Sequence, residues 1–291
     1  MAELLPPAGS RKLSSWWPAG TLIVAGIVMF YVLRPTGNGV IESPGDSNRR
    51  PTTAGPLSVR SPEIEPAAWF VYLVDISGST HVGGRRRKSR VPARDRDTPY
   101  TRSLGLVTQS ILGLRRLTEA LPQQHSVIAI TNASLYQKPL CEVTVPRVNL
   151  FTGGDTIGMM TSIARCDSTL RNIRWSARTD IRGALKLAGL VLEQKPGRVR
   201  GIVLVSDLEE TLRRGQEAAV PSLHGECVLV VPQITPEVAR TPSLLDKRVE
   251  TWRQLLLEWG ASRVEVRTVP AFSEGDVLRF FRECGKIQRT S

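Results

Sequence analysis

The chain has 291 residues, of which 41% are hydrophobic, and a formal net charge of +12 with a pI near 10.2. That is ample apolar material for one large domain or two small ones, and it excludes a chain too polar to bury a core. The positive balance points to anionic surroundings or partners and carries no information about fold.

Leu13 to Leu33 contains no charged residue. Within it, "WWPAGTLIVAGIVMFYVL", residues 16–33, has the length and apolarity of a single membrane-spanning helix. Trp16, Trp17 and Tyr31 lie near its ends, where amphipathic rings favour the water interface. An uncleaved anchor fits better than a signal peptide: the apolar run is long for an h-region and no small-x-small cleavage site follows. Arg11 and Lys12 precede the span, and Arg34, Arg49 and Arg50 follow it. The slight bias keeps the tail 1–15 inside and puts the large C-terminal part outside the cytoplasm. Residues 34–66 are rich in Pro, Gly, Ser and Thr without periodicity, as a disordered tether is.

A folded domain is expected over 67–285, with 286–291 as a tail. Trp69 to Val74 is predicted as a strand buried on both faces. Tyr100 to Ala120 has helical spacing through Leu104, Val107, Ile111 and Leu114, with Pro122 just beyond. Ser126 to Thr131 reads as a strand, and Cys141 to Val145 as a short edge strand. The next predicted element, Asp180 to Glu193, is amphipathic through Ile181, Ala184, Leu185, Ala188 and Leu192, which leaves the segment before it irregular. Gly201 to Val205 and Cys227 to Val231 are buried strands. A helical stripe runs through Leu245, Val249, Trp252, Leu256 and Trp259. Val264 to Val269 is a last strand, and Ser273 with Asp276 forms a capping box opening a C-terminal helix through Phe280 and Phe281. Strands alternating with helices predict an α/β fold: a doubly wound, mostly parallel sheet with helices on both faces.

The four cysteines, Cys141, Cys166, Cys227 and Cys284, include no C-x-x-C pair, which argues against zinc. Outside the cytoplasm two disulfides are possible, in three connectivities. Cys141 and Cys166 are the better candidates for a disulfide, while Cys227 in "ECVLVV" reads as a small buried apolar residue.

Chemistry concentrates in three oxygen-rich loops. Asp75, Ser77 and Ser79 follow the first strand, Thr179 precedes the Asp180 helix, and Asp207 follows the Gly201 strand. Open α/β sheets bind ligands just past their strand ends. Hard oxygen ligands with only two formal negative charges suit Mg²⁺ or Mn²⁺ better than zinc, with a position left for an incoming carboxylate. Thr156 and Thr169 are alternatives to Thr179.

This set, Asp-x-Ser-x-Ser after a buried strand, then "TDIRGAL" and "VLVSD" in order, resembles the metal-ion-dependent adhesion site of von Willebrand factor type A domains. The resemblance covers roughly 67–285. It implies that Ser77, Ser79 and Thr179 supply hydroxyl ligands to Mg²⁺ or Mn²⁺ and that Asp75 and Asp207 act directly or through water. It further implies that an acidic side chain from a protein partner completes the shell, and that the last helix, Asp276 to Cys284, shifts on binding. The family often has Gly after the third-loop Asp, and here Leu208 stands there, followed by Glu209 and Glu210.

"HVGGRRRKSRVPARDRD", residues 81–97, places seven Lys or Arg, among them Arg85, Arg86, Arg87, Lys88 and Arg90, after the first loop. Such runs are usually solvated loops. The functional reading is an anion-attracting arm that steers an acidic protein partner, or touches anionic lipid if the domain faces the cytoplasm. Nucleic acid is not expected, because no aromatic interleaves the run and no nucleic-acid-binding motif is present. Enzyme signatures are missing: there is no G-x-S-x-G elbow or P-loop, and His81, His125 and His224 have no evident partners. A haloacid-dehalogenase-like site needs a second Asp at position 77, which is Ser. The expectation is a membrane-tethered, non-enzymatic, cation-dependent protein-binding domain. A metal-free structural subunit of a membrane assembly is the alternative, and a metal-dependent hydrolase ranks below it.

Overall fold

The computed structural model describes residues 66–81, 98–118, 121–147, 155–195, 197–268 and 273–290. The apolar stretch 16–33, the segment 34–65 and the basic run from 82 to 97 lie outside them, with Arg85, Arg86, Arg87, Lys88 and Arg90. Among the described residues no helix is long and apolar enough to cross a membrane.

Six strands form one sheet: β1 (Ala68–Asp75), β2 (Gln123–Ile130), β3 (Cys141–Val145), β4 (Val199–Ser206), β5 (Cys227–Pro232) and β6 (Arg263–Val266), in the order β3-β2-β1-β4-β5-β6. Every neighbouring pair is parallel except β2–β3. The chain moves from β1 to β2 on one side and later returns to β4 on the other. The winding therefore reverses beside β1, and a crevice opens at the carboxyl ends of β1 and β4.

Among the described residues six helices accompany the sheet: α1 (Pro99–Leu114), α2 (Thr156–Arg171), α3 (Ile181–Glu193), α4 (Pro236–Arg240), α5 (Pro242–Glu258) and α6 (Glu274–Thr290). The uninterrupted apolar strands are explained by burial on both faces. Phe70, Tyr72 and Val74 point into one core with side chains of α1, α2 and α6. Val71 and Leu73 point into the other, with Ile181, Leu185 and Leu192 of α3 and Trp252 and Leu256 of α5. The expectation of a doubly wound, mostly parallel sheet covered on both faces therefore holds. Local signals set the helix starts. Thr98 and Thr101 form a reciprocal capping box at α1, and Asp180 Oδ1 accepts from Gly183 N at 2.8 Å at α3. Asp276 N donates to Ser273 Oγ at 3.2 Å at α6.

Five expectations are revised. The segment read as irregular forms α2, an amphipathic helix burying Met159, Ile163, Cys166 and Leu170. Helix α1 stops at Leu114, and the chain turns at Arg115 and Arg116 while Leu117 still packs into the core. Strand β6 ends at Val266, and α6 continues to Thr290 through most of the expected tail. Cys227 is not a lone apolar residue. It pairs with Cys284 of α6, with Cα atoms 6.1 Å apart, and Cys141 of β3 pairs with Cys166 of α2 at 5.4 Å.

These links bear on α6. Its Cys284 is bonded to β5, and Gln288 Nε2 donates to the Gly225 and Arg200 carbonyls at 2.8 and 3.1 Å. Cys284, the end of the segment 276–284 expected to shift, is thus covalently fixed to the sheet. His125 also has partners. It is buried against the Phe70 ring at 5.1 Å, with Tyr72 Oη 3.1 Å from its Nδ1 and Gln123 Oε1 3.1 Å from its Nε2. Burial lowers its pKa to about 3, keeping the ring neutral. His224 lies 3.6 Å from Glu193.

Candidate functional site

The reversal of winding brings the ends of β1 and β4 together. Val74 pairs with Val205, so Asp75 and Ser206 are the next residues on adjacent strands. Both are fully buried. Ser206 Oγ donates to Asp75 Oδ2 at 2.7 Å, and Ser77 N donates to Asp75 Oδ1 at 2.8 Å. The chain then turns through a short 3₁₀ segment, Gly78–His81. Thr80 Oγ1 steadies it by donating to the Ser77 carbonyl at 2.8 Å. This turn carries Ser79 back over the crevice. Its Oγ lies 2.9 Å from Ser77 Oγ and donates to Asp207 Oδ2 at 2.8 Å. Asp75, Ser77, Ser79 and Asp207 are therefore one connected cluster, drawn from residues 75 to 207.

Thr179 reaches the same place from a third segment. Ser176 pairs with the first loop, through Gly78 N to Ser176 O at 3.1 Å and Ser176 N to Ile76 O at 3.0 Å. Thr179 and Thr211 exchange backbone hydrogen bonds at 3.1 and 2.8 Å. Ser77, Ser79, Thr179 and Thr211 line a groove of about 270 Å³ together with Glu209 and Glu237. Thr156 opens α2, and Thr169 Oγ1 donates to the Arg165 carbonyl within α2, so neither alternative to Thr179 lines this groove.

The electrostatics are those of two acids short of positive charge. Burial, and after it the nearby Asp207, push the Asp75 carboxyl up to about 7, against the hydrogen bonds from Ser206 and Ser77. Burial also raises Asp207, against the hydrogen bond from Ser79 and the N–H of Glu209. Among the described residues no Lys or Arg forms an ion pair with either carboxylate. Arg248 offsets Asp207 in part, but its donors go to the Asp207 main-chain oxygen at 3.2 Å and to Glu209 Oε2 at 2.8 Å. Glu210 is likewise occupied, by Arg182 at 3.0 Å.

No group of three His, Cys, Asp or Glu side chains gathers among the described residues. The set consists instead of two carboxylates and three hydroxyls, all hard oxygen donors. Two buried carboxylates with raised pKa values at one crevice, next to hydroxyls within hydrogen-bond reach, fit a small divalent cation such as Mg²⁺ or Mn²⁺. The cation would supply the charge that the cluster lacks.

Leu208 occupies the position where the resembling family often has Gly. Its φ is +60°, in the left-handed region that costs a branched side chain about 1 kcal/mol or more. Burial offsets that cost: Leu208 is 2% exposed in the second core, and Trp252 Nε1 donates to its carbonyl at 3.0 Å. Leu208→Gly is therefore expected to destabilise the protein by about 1–3 kcal/mol, since losing a buried Leu outweighs relief of the backbone. Chemical denaturation of the two proteins checks this, and a more stable variant would contradict it.

Ser206, Ser176, Thr211 and Glu237 belong to the site without having been singled out in the sequence. Ser206 had a usable signal, because it sits at a strand end one residue before Asp207. Thr211 and Glu237 had none, since their approach depends on loop paths after β4 and β5.

No protein-family model matches the chain, and no curated protein matches it. Similarity appears among solved structures, at 12–14% identity. The PilB minor pilin from Streptococcus sanguinis aligns over 78% of this chain and 63% of its own, with a TM-score of 0.41. A von Willebrand factor type A protein from Catenulispora acidiphila aligns over 77% and 43%, with a TM-score of 0.36. The pilus adhesin SpaC from Lactobacillus rhamnosus GG aligns over 78% and 30%, with a TM-score of 0.39. The chain thus spans less than two thirds of each of these proteins, and the resemblances are distant.

Proposed function

We propose that residues 67–285 form a von Willebrand factor type A-like domain that binds a protein partner through a divalent cation and carries out no catalysis. The observation that carries this reading is the hydrogen-bonded cluster of two buried carboxylates and two serine hydroxyls, Asp75, Asp207, Ser77 and Ser79, at the sheet's reversal point. Ser77, Ser79, Thr179, Asp75 and Asp207 would hold Mg²⁺ or Mn²⁺. The bound cation supplies an electrophilic position for a partner's Asp or Glu. The chain's own residues fix the ligand oxygens in place: Ser206 and the Ser77 N–H orient Asp75, and the Thr179–Thr211 pairing holds the third loop. Arg85, Arg86, Arg87, Lys88 and Arg90 would attract an acidic partner and raise its on-rate. Residues 16–33 would tether the domain to a membrane, with the domain on the extracytoplasmic side. Two disulfides support that side, since such bonds persist in oxidising compartments.

Titration of the purified full chain with Mg²⁺ and Mn²⁺, followed by calorimetry and thermal melting, tests the reading. Saturable binding that raises the melting temperature of the wild type and is absent from Asp75→Ala/Ser77→Ala is the expected result. Equal, metal-independent melting of both proteins would sink it in favour of a metal-free structural subunit.

A further inference from the structure

A second groove, of about 810 Å³, is lined by residues that follow Thr179 and Thr211 in the chain. Tyr136, on the turn Ser134–Tyr136, and Val220, on the loop after Thr211, both line it, and they are 86% and 69% exposed. Single exposed apolar residues are ordinary. Two such residues in one concavity offer a seat for an apolar side chain. Arg213 and Arg214 line the same groove. With the Asn132 amide oriented to satisfy both groups, Arg213 Nε donates to it at 3.2 Å, which fixes one cation at the groove wall. Of the two acids that line the groove, Asp180 is buried and committed to capping α3 and accepting from Gln216. Only Glu217 offsets the exposed arginines, so the accessible charge is positive.

The two grooves share a wall. Thr179 lines the first and Asp180 the second, and Thr211 lines the first and Arg213 the second. Neighbouring Cα atoms are ~3.8 Å apart and an extended peptide advances ~3.3 Å per residue, so a segment of a few residues reaches both.

Resting on the cation reading of the Asp75 cluster, we infer that the partner segment continues into this second groove. The occupant is an extended acidic peptide: one carboxylate lies at the Asp75 cluster, an apolar or aromatic side chain lies between Tyr136 and Val220, and a further carboxylate meets Arg213 and Arg214. The apolar seat sets which acidic partners are accepted, because a carboxylate on a cation distinguishes poorly among them.

Phage-displayed random linear peptides, panned in Mg²⁺ against the full chain in detergent micelles, supply the probe. Enriched sequences are expected to carry Asp or Glu and a bulky apolar residue a few positions apart. Their synthetic forms are expected to bind Tyr136→Ala/Val220→Ser about tenfold more weakly or worse, while Mg²⁺ binding by that variant is unchanged. Arg214→Glu is expected to weaken peptides with two acids more than those with one. Enriched peptides that bind the Tyr136→Ala/Val220→Ser protein as well as wild type, or no enrichment at all, would overturn the inference. Peptides that need Tyr136 and Val220 but bind equally in chelator and to Asp75→Ala would uphold the groove and defeat the cation reading. Peptides that need Mg²⁺ and Asp75 but ignore the groove residues would do the reverse.

Discussion

Asp75→Asn is expected to make the metal-free protein more stable than wild type at pH 8 and to leave it nearly equal at pH 4. The Asp75 carboxyl is raised from an ordinary value of 3.8 to about 7 in the folded state, first by burial and then by Asp207. A group raised in this way favours folding while protonated. Its stabilisation is complete below the unfolded value and is lost as pH rises through the folded one, so wild type should weaken relative to the variant between about pH 4 and 7. Each kcal/mol corresponds to about 2–4 °C in a domain of this size, and the gap is expected to reach several degrees. His125 acts in the same window with the opposite sign. Its folded value is lowered to about 3, so its contribution is lost as pH falls below about 6.5. Both proteins keep His125, and the difference between their melting curves removes it. Saturating Mg²⁺ is expected to close the gap by stabilising wild type alone, with apparent affinity falling about tenfold per pH unit below 7 for each proton displaced. A gap that stays constant across pH would show that Asp75 titrates normally.

Removing the Cys227–Cys284 disulfide is expected to cost about 4 kcal/mol, and removing Cys141–Cys166 somewhat less. The bonds close sequence separations of 57 and 25 residues, and the entropy they remove from the unfolded chain grows slowly with loop length. Cys227→Ala/Cys284→Ala should lower the melting temperature on the order of 10 °C. The larger effect is expected at Cys227 and Cys284 for a second reason: both are fully buried, so substitution also leaves a small void between β5 and α6. Melting in the presence and absence of a thiol reductant tests the two bonds together without mutation. Identical curves would mean that the cysteines are not paired.

The sheet was legible because its strands are buried twice. Phe70 to Val74, Gly201 to Val205 and Cys227 to Val231 are unbroken apolar runs, and each emerges as a strand with neighbours on both sides. The strand-end chemistry was legible for the same reason, since Asp75 and Asp207 interrupt such runs abruptly. Helix α2 was missed although Met159, Ile163, Cys166 and Leu170 have helical spacing. Thr, Ser and Gly between those positions weaken the local preference, and packing on β3 and the Cys141 link determine the outcome. The Cys227 pairing and the Ser206 contact were hidden because each depends on which segments the topology places side by side. Spacing along the chain does not record that.

The hydrogen bond between Ser79 and Asp207 joins residues 128 positions apart. It requires β1 to be in place with β4 already laid against it, after the excursion through β2, β3 and α3. No shorter fragment of the chain contains the oxygen cluster. A ligand that recognises the cluster therefore has nothing to hold in a nascent or partly unfolded molecule, and its binding energy goes to the completed domain alone. Occupancy of the crevice is in this sense a readout of finished folding. A change anywhere that loosens the β1–β4 pairing will be felt as lost binding before it is seen as lost structure.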